Sequence, residues 1–142
     1  MNKSAIVKDI MTSRVITLPL NSTLEQAETV LKENKIKHIP IVHENKIVGI
    51  LSHSDILRIS VADAIEDENG DAHDIETTVY DMFTIHQVMA KTVATITPDT
   101  TVKEVAKILT AKEFNALPVI ENDELVGIVT TTDLIKFLLN QL

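Results

Sequence analysis

No cysteine occurs among the 142 residues. Disulfide frameworks, thiolate zinc sites and cysteine nucleophiles are thereby excluded together. Tryptophan is absent too, and aromatics make up only 3% of the chain. The core must then be aliphatic, and stacking platforms for single-stranded nucleic acid are lacking. Glycine occurs only at Gly49, Gly70 and Gly127. Three scattered glycines build neither a Walker A loop nor a dinucleotide fingerprint, which removes the usual routes to nucleotide hydrolysis and hydride transfer. No apolar run approaches the roughly 18 residues of a spanning helix. The opening Met1-Asn2-Lys3-Ser4 is followed by no apolar signal region. A soluble, unexported, cytoplasmic protein is expected.

Lys and Arg are missing from residues 60–84, where Asp63, Glu66, Asp67, Glu68, Asp71, Asp74, Glu76 and Asp81 gather. These eight of the 21 acidic residues account for the whole net charge of −8, because the remaining 13 balance 13 Lys and Arg. Without a basic stripe, DNA and RNA are not expected partners. Small anions held at helix ends are not excluded by that balance.

What is present is a repeat. Residues 11–57 align with 89–135 at a constant offset of 78, without a gap. Met11/Met89, Val15/Val93, Thr17/Thr95, Thr23/Thr101, Leu31/Leu109, Pro40/Pro118, Val48/Val126, Gly49/Gly127, Ile50/Ile128 and Asp55/Asp133 are identical. Each copy predicts a short extended run (Val15 to Leu18; Val93 to Ile96) and then a helix. The helices start at the capping boxes Thr23-x-x-Gln26 and Thr101-x-x-Glu104. Leu24, Ala27, Val30 and Leu31, like Val102, Val105, Ile108 and Leu109, recur at helical spacing. Two β-branched strands follow, turning at Glu44-Asn45 and Asn122-Asp123, and a last helix begins near Ser54 or Thr132. The fold class is α/β, with two β-α-β-β-α repeats packed with pseudo-twofold symmetry, because one unit alone exposes an apolar sheet face. Repeat 1 spans 7–59, an acidic connection 60–84, and repeat 2 spans 85–142.

The runs Gly49-Ile50-Leu51-Ser52-His53-Ser54-Asp55 and Gly127-Ile128-Val129-Thr130-Thr131-Thr132-Asp133 place a hydroxyl where a strand turns into a helix. Free amides there have positive character and suit a phosphate. The carboxylate three residues on can accept both hydroxyls of a ribose. Equally, Ser52-x-x-Asp55 and Thr130-x-x-Asp133 are capping boxes with Asp at the third position, and a cap can be displaced by a ligand.

These two runs, together with Ile39-Pro40-Ile41-Val42 and Leu117-Pro118-Val119-Ile120, resemble the ligand-binding signature of CBS domains over nearly the whole chain apart from 60–84. The resemblance implies a regulatory sensor of adenine nucleotide (AMP, ADP or ATP) with no catalytic residues, no obligatory cofactor and no metal. It also implies a homodimer acting allosterically on a separate effector protein. Alternatives are a structural interaction module without ligand and an S-adenosylmethionine binder. Carried over residue by residue, Ser52, Ser54 and Asp55 would join Val93, Ala94, Phe114, Asn115 and Ala116. Thr130, Thr132 and Asp133 would join Val15, Ile16, Ile36, Lys37 and His38. Lys37-His38 against Asn115-Ala116 makes the copies unequal, and the Ser52/Asp55 site is expected to favour phosphorylated ligand. Arg58 and Lys136, one turn on, are either phosphate helpers or ion-pair partners of the Asp.

Other constellations are weaker. Residues 65–76 resemble an EF-hand loop with Gly70 as its turn, but Ile65 stands at the first ligand position. His38, His43 and His53 lack zinc-ligand spacing. Ser52-His53-Ser54-Asp55 is no nucleophilic triad, since neighbours on one turn cannot all face one another. Val79, Tyr80, Met82 and Phe83 form an apolar group expected to pack on something, as a docking surface or a return to repeat 2.

Overall fold

Each hairpin forms where the sequence alternates β-branched residues around a two-residue turn. In the computed structural model, which describes residues 4–66, 82–91, 94–112 and 114–142, β2 (His38–His43) pairs antiparallel with β3 (Lys46–Ser52). Their turn residues Glu44 and Asn45 have φ of 51° and 64°, the double left-handed pattern of a type I′ turn, which Asn tolerates. β4 (Ala116–Glu121) and β5 (Glu124–Thr130) repeat this arrangement, with Asn122 and Asp123 at 52° and 66°. Both hairpins carry a register shift at the same place, Ile41/Val42 and Val119/Ile120.

The helices start at their caps. In α2 (Leu24–Asn34) Thr23 and Gln26 exchange bonds of 2.9 and 3.1 Å. In α5 (Val102–Lys112) the Thr101 hydroxyl accepts from the Glu104 N–H at 3.1 Å. The last helices, α3 (His53–Glu66) and α6 (Thr131–Gln141), start one residue before the expected Ser54 and Thr132, directly from the strand ends. Of the first extended runs, Leu18–Pro19 forms β1, parallel to β2, and Ile96 makes a single parallel bridge to Val119.

Two short helices were not expected, α1 (Val7–Ile10) and α4 (Ile85–Val88). They are equivalent at the same offset of 78, and each lies in a leader that joins the body of the other repeat. One compact unit holds the described residues between Ile16 and Lys91; the other holds those up to Val15 and from Ala94 onward. In the first unit Leu24, Ala27, Leu31, Ile39, Ile41, Leu51 and Ile56 share a core with leader residues Ile85 and Met89. In the second, Val7 completes the core of Ile96, Val105, Leu109, Leu117, Val119 and Val129. Burying Val7 or Ile85 fully is worth about 2 kcal/mol each.

The strand prolines explain how a leader docks. Pro40 pairs with Ile50, and Pro118 with Ile128. Ile50 and Ile128 direct both backbone groups to the opposite edge. Ile50 exchanges bonds of 3.0 and 2.9 Å with Ala90, and Ile128 exchanges bonds of 3.0 and 2.9 Å with Thr12. On the other side of β4 the Ile96 bridge uses only the Pro118 carbonyl and the Ile120 N–H, so the proline's missing donor leaves nothing unpaired. A glycine sits under each leader methionine: a Cβ on Gly49 would lie 2.5 Å from the Met89 sulfur, and one on Gly127 equally close to that of Met11.

Residues 67–81 of the acidic connection, with the EF-hand-like residues 67–76 and Val79 and Tyr80, lie outside the described residues. Met82 and Phe83 of the apolar group are 64% and 39% exposed. Among the described residues no helix is long and apolar enough to cross a membrane, and no three metal-ligating side chains meet.

Candidate functional site

β3 ends on Ser52 and α3 begins on His53; β5 ends on Thr130 and α6 begins on Thr131. With no loop between strand and helix, the last strand residue must serve as the helix cap, and its extended backbone (Thr130 φ −116°, ψ 167°) suits both roles.

At the first corner the Ser52 N–H donates to Asp55 Oδ2 at 3.0 Å, and the Asp55 N–H donates to Ser52 Oγ at 3.1 Å. Ser54 Oγ lies 3.0 Å from Ser52 Oγ, and Arg58 Nη2 donates to Asp55 Oδ1 at 3.1 Å. The His53 N–H is taken by the Lys37 carbonyl at 2.9 Å. The Ser54 N–H has no backbone acceptor among the described residues, so one positively polarised donor and its hydroxyl face outward.

The second corner repeats the box. The Thr130 N–H donates to Asp133 Oδ2 at 2.8 Å, the Thr130 hydroxyl donates to the same oxygen at 3.1 Å, and the Asp133 N–H returns to Thr130 Oγ1 at 3.3 Å. The Thr131 N–H is held by the Asn115 carbonyl at 3.0 Å. Thr132 is exposed, as Ser54 is, and its N–H likewise has no backbone acceptor among the described residues. Asp55 and Asp133 are half-buried, so each carboxylate keeps access to solvent.

The corners differ in charge. His38 pairs across the strands with Ser52, and Ala116 stands at the same place opposite Thr130. Burial holds the His38 imidazole below its ordinary 6.5, against the pull of the Asp55 charge and with the push of Lys37. Arg58 is therefore bonded to the first carboxylate and His38 lies within its field, with Lys37 next to His38. At the second, Asn115 and Ala116 are neutral, and Lys136 forms no ion pair with Asp133 among the described residues.

A hydroxyl, an outward amide and a carboxylate at a strand-to-helix turn, twice at one offset, are the features on which the family can be judged. The sequence pattern of the CBS domain matches residues 7–62 and again 85–140. The chain belongs to the CBS domain family. It is a tandem CBS pair. Protein MJ1225 of Methanocaldococcus jannaschii is 34% identical over 134 residues, covering 93% of this chain and 42% of that one. The chain thus spans less than half the length of that relative. The CBS domain pair of protein MJ0100, solved with 5′-methylthioadenosine and S-adenosyl-L-methionine, superposes with a TM-score of 0.77 at 28% identity, over 97% of this chain and 98% of that one. CBSX2, solved with AMP, has a TM-score of 0.75 over 96% and 98% of the two chains, and at 20% identity shares the fold.

Within each repeat, His38 stands opposite Ser52 and the Lys37 carbonyl takes the His53 N–H, while Ala116 stands opposite Thr130 and the Asn115 carbonyl takes the Thr131 N–H; Ile36 and Phe114 pack against the two cores. Val15 and Ile16 are half-buried and fall on either side of the division between the units. Ala94 is half-buried, while Val93 lies outside the described residues. Sequence reasoning missed Met11, Met89, Thr12 and Ala90. Their signal was the offset of 78 itself, which continues upstream as Val7/Ile85 and places a strand glycine opposite each methionine.

Proposed function

We propose that this CBS pair is a regulatory module that binds an adenosine-containing ligand and acts on a separate effector, without catalytic residues of its own. The observation that carries this reading is the pair of capped corners, Ser52/Ser54/Asp55 and Thr130/Thr132/Asp133. A carboxylate able to accept a sugar diol stands in each beside an unpaired helix amide. A similar pair at 28% identity was solved with 5′-methylthioadenosine and S-adenosyl-L-methionine, and the adenosine moiety those two share with AMP, ADP and ATP is the chemistry the corners suit. Lys37, His38 and Arg58 favour a phosphorylated ligand at the first corner, while the neutral second corner accepts an uncharged 5′ substituent as readily. A thermal-shift series with AMP, ADP, ATP, S-adenosylmethionine and 5′-methylthioadenosine tests the proposal. A ligand at a hundred times its Kd stabilises by about 2.7 kcal/mol; no rise in Tm with any of the five rejects it.

A homodimer is part of the reading. Ile135, Leu138, Leu139 and Leu142 are 45–90% exposed and lie along one stripe of α6 and its end, and Leu57, the equivalent of Ile135, is exposed on α3. Apolar surface repeated at one helical spacing fits a second copy of the chain. Sedimentation is expected to give a dimer for the native chain and a monomer for Leu139→Glu; identical profiles reject this interface. We place the protein in the cytoplasm, where adenosine ligands are plentiful.

A further inference from the structure

We infer that the two leaders are crossed reporters of the corners: residues 5–12 follow the state of Thr130/Asp133, and residues 84–90 follow that of Ser52/Asp55. The inference rests on the ligand reading for its trigger, while the mechanical coupling stands on hydrogen bonds alone. In β5, Ile128 gives both backbone groups to Thr12, and two residues on, the Thr130 N–H is bound to Asp133. In β3, Ile50 gives both to Ala90, and two residues on, the Ser52 N–H is bound to Asp55. Gly127 and Gly49 carry no side chain between strand and leader methionine, so a shift of the strand is passed to the leader without a cushion.

The first leader is held further along its length. Val7 and Lys8 donate to the carbonyls of Thr100 and Pro98 at 2.8 and 2.9 Å, Val102 donates to Ala5 at 3.0 Å, and Ile6 bridges Thr101. The leader of repeat 1 is thereby part of the body of repeat 2. A ligand that draws the Asp133 carboxylate off the Thr130 amide changes the end of β5, and the nearest backbone pair to feel it is Thr12–Ile128. By linkage, order imposed on residues 5–12 changes affinity at the second corner and leaves the first unaltered.

Amide hydrogen exchange on the full chain decides the matter at Thr12, Ile128, Ala90 and Ile50. Without ligand, Asp133→Ala removes a cap and is expected to speed exchange at Thr12 and Ile128 by about five-fold, with Ala90 and Ile50 within about two-fold of native. Asp55→Ala is expected to do the reverse, and Thr130→Ala and Ser52→Ala reproduce the two patterns by a second route. Equal acceleration at all four amides, or none at Thr12 in Asp133→Ala, overturns the coupling. With AMP added and its binding followed by calorimetry, protection at Thr12 should track binding that Asp133→Ala abolishes. Binding that leaves all four amides unchanged overturns the inference and spares the ligand reading. Crossed acceleration in the variants with no binding of AMP or S-adenosylmethionine supports the coupling and removes the adenosine reading.

Discussion

Replacing Gly49 by Ala should damage the protein far more than the same change at Gly127, although the two glycines are equivalent at the offset of 78. Neither has a positive φ, so alanine is acceptable to the backbone, and stiffening the unfolded chain would by itself stabilise by about 0.5 kcal/mol. The difference lies in what the new methyl meets. At Gly49 it would lie 2.5 Å from the Met89 sulfur and 2.7 Å from the Ala90 carbonyl oxygen. A methionine end can rotate, but that carbonyl is pinned by the paired bonds between Ala90 and Ile50. Overpacking of about 2 kcal/mol, with about 1–2 more for weakened hydrogen bonds, leaves a net loss near 3 kcal/mol. At Gly127 the sulfur of the half-buried Met11 is again 2.5 Å away, but the Thr12 carbonyl is at 3.1 Å and needs to give only a little. The expected net loss there is below about 1 kcal/mol. For a chain of this size that separates the two melting temperatures by roughly 4–8 °C, and urea titration should give the same order. Adding Met11→Ala should relieve nearly all of the Gly127→Ala cost, whereas Met89→Ala should relieve only the sulfur part of the Gly49→Ala cost. Equal stability of the two glycine variants, or full rescue of Gly49→Ala by Met89→Ala, would show that the Ala90 carbonyl is not what resists the new methyl.

Two further outcomes follow from the corners. Thr130→Ala and Ser52→Ala should each cost about 1 kcal/mol in urea unfolding of the ligand-free chain, the ordinary worth of a cap; a change near zero would mean that the boxes are not holding the helix starts. His38, kept below 6.5 by burial, resists a proton that the unfolded chain accepts at its ordinary value. The unfolded state therefore binds more protons once the pH falls below 6.5, and stability declines until the lower folded pKa is reached. His38→Gln should flatten the fall in the urea midpoint between about pH 6.5 and pH 5, and parallel pH profiles of variant and native chain would contradict it.

Much of this architecture could be read in advance because the determinants are local and doubled. The turns at Glu44-Asn45 and Asn122-Asp123, the Thr23 box and the strand prolines are each set by a few adjacent residues, and all appear where expected. The two readings of Ser52-x-x-Asp55 were left open by the sequence, and the structure displays the cap. What escaped was non-local or too short to have a period. α1 and α4 have four residues each, about one turn, in which a 3.6-residue repeat cannot be recognised. The docking of Thr12 on Ile128 is a single bridge between residues far apart in sequence. Likewise the approach of His38 to Asp55 arises from strand pairing that brings position 38 opposite position 52.

If both corners hold an adenosine ligand through their carboxylates, the first with the stronger preference for phosphate, loss of either carboxylate must weaken binding. Calorimetric titration of the native chain, Asp55→Ala and Asp133→Ala with AMP and with 5′-methylthioadenosine tests it most directly. Weaker binding is expected in each variant, with Asp55→Ala losing more of the AMP affinity than Asp133→Ala does. Binding of AMP that is untouched by both substitutions, or no binding of either compound to the native chain, would contradict it.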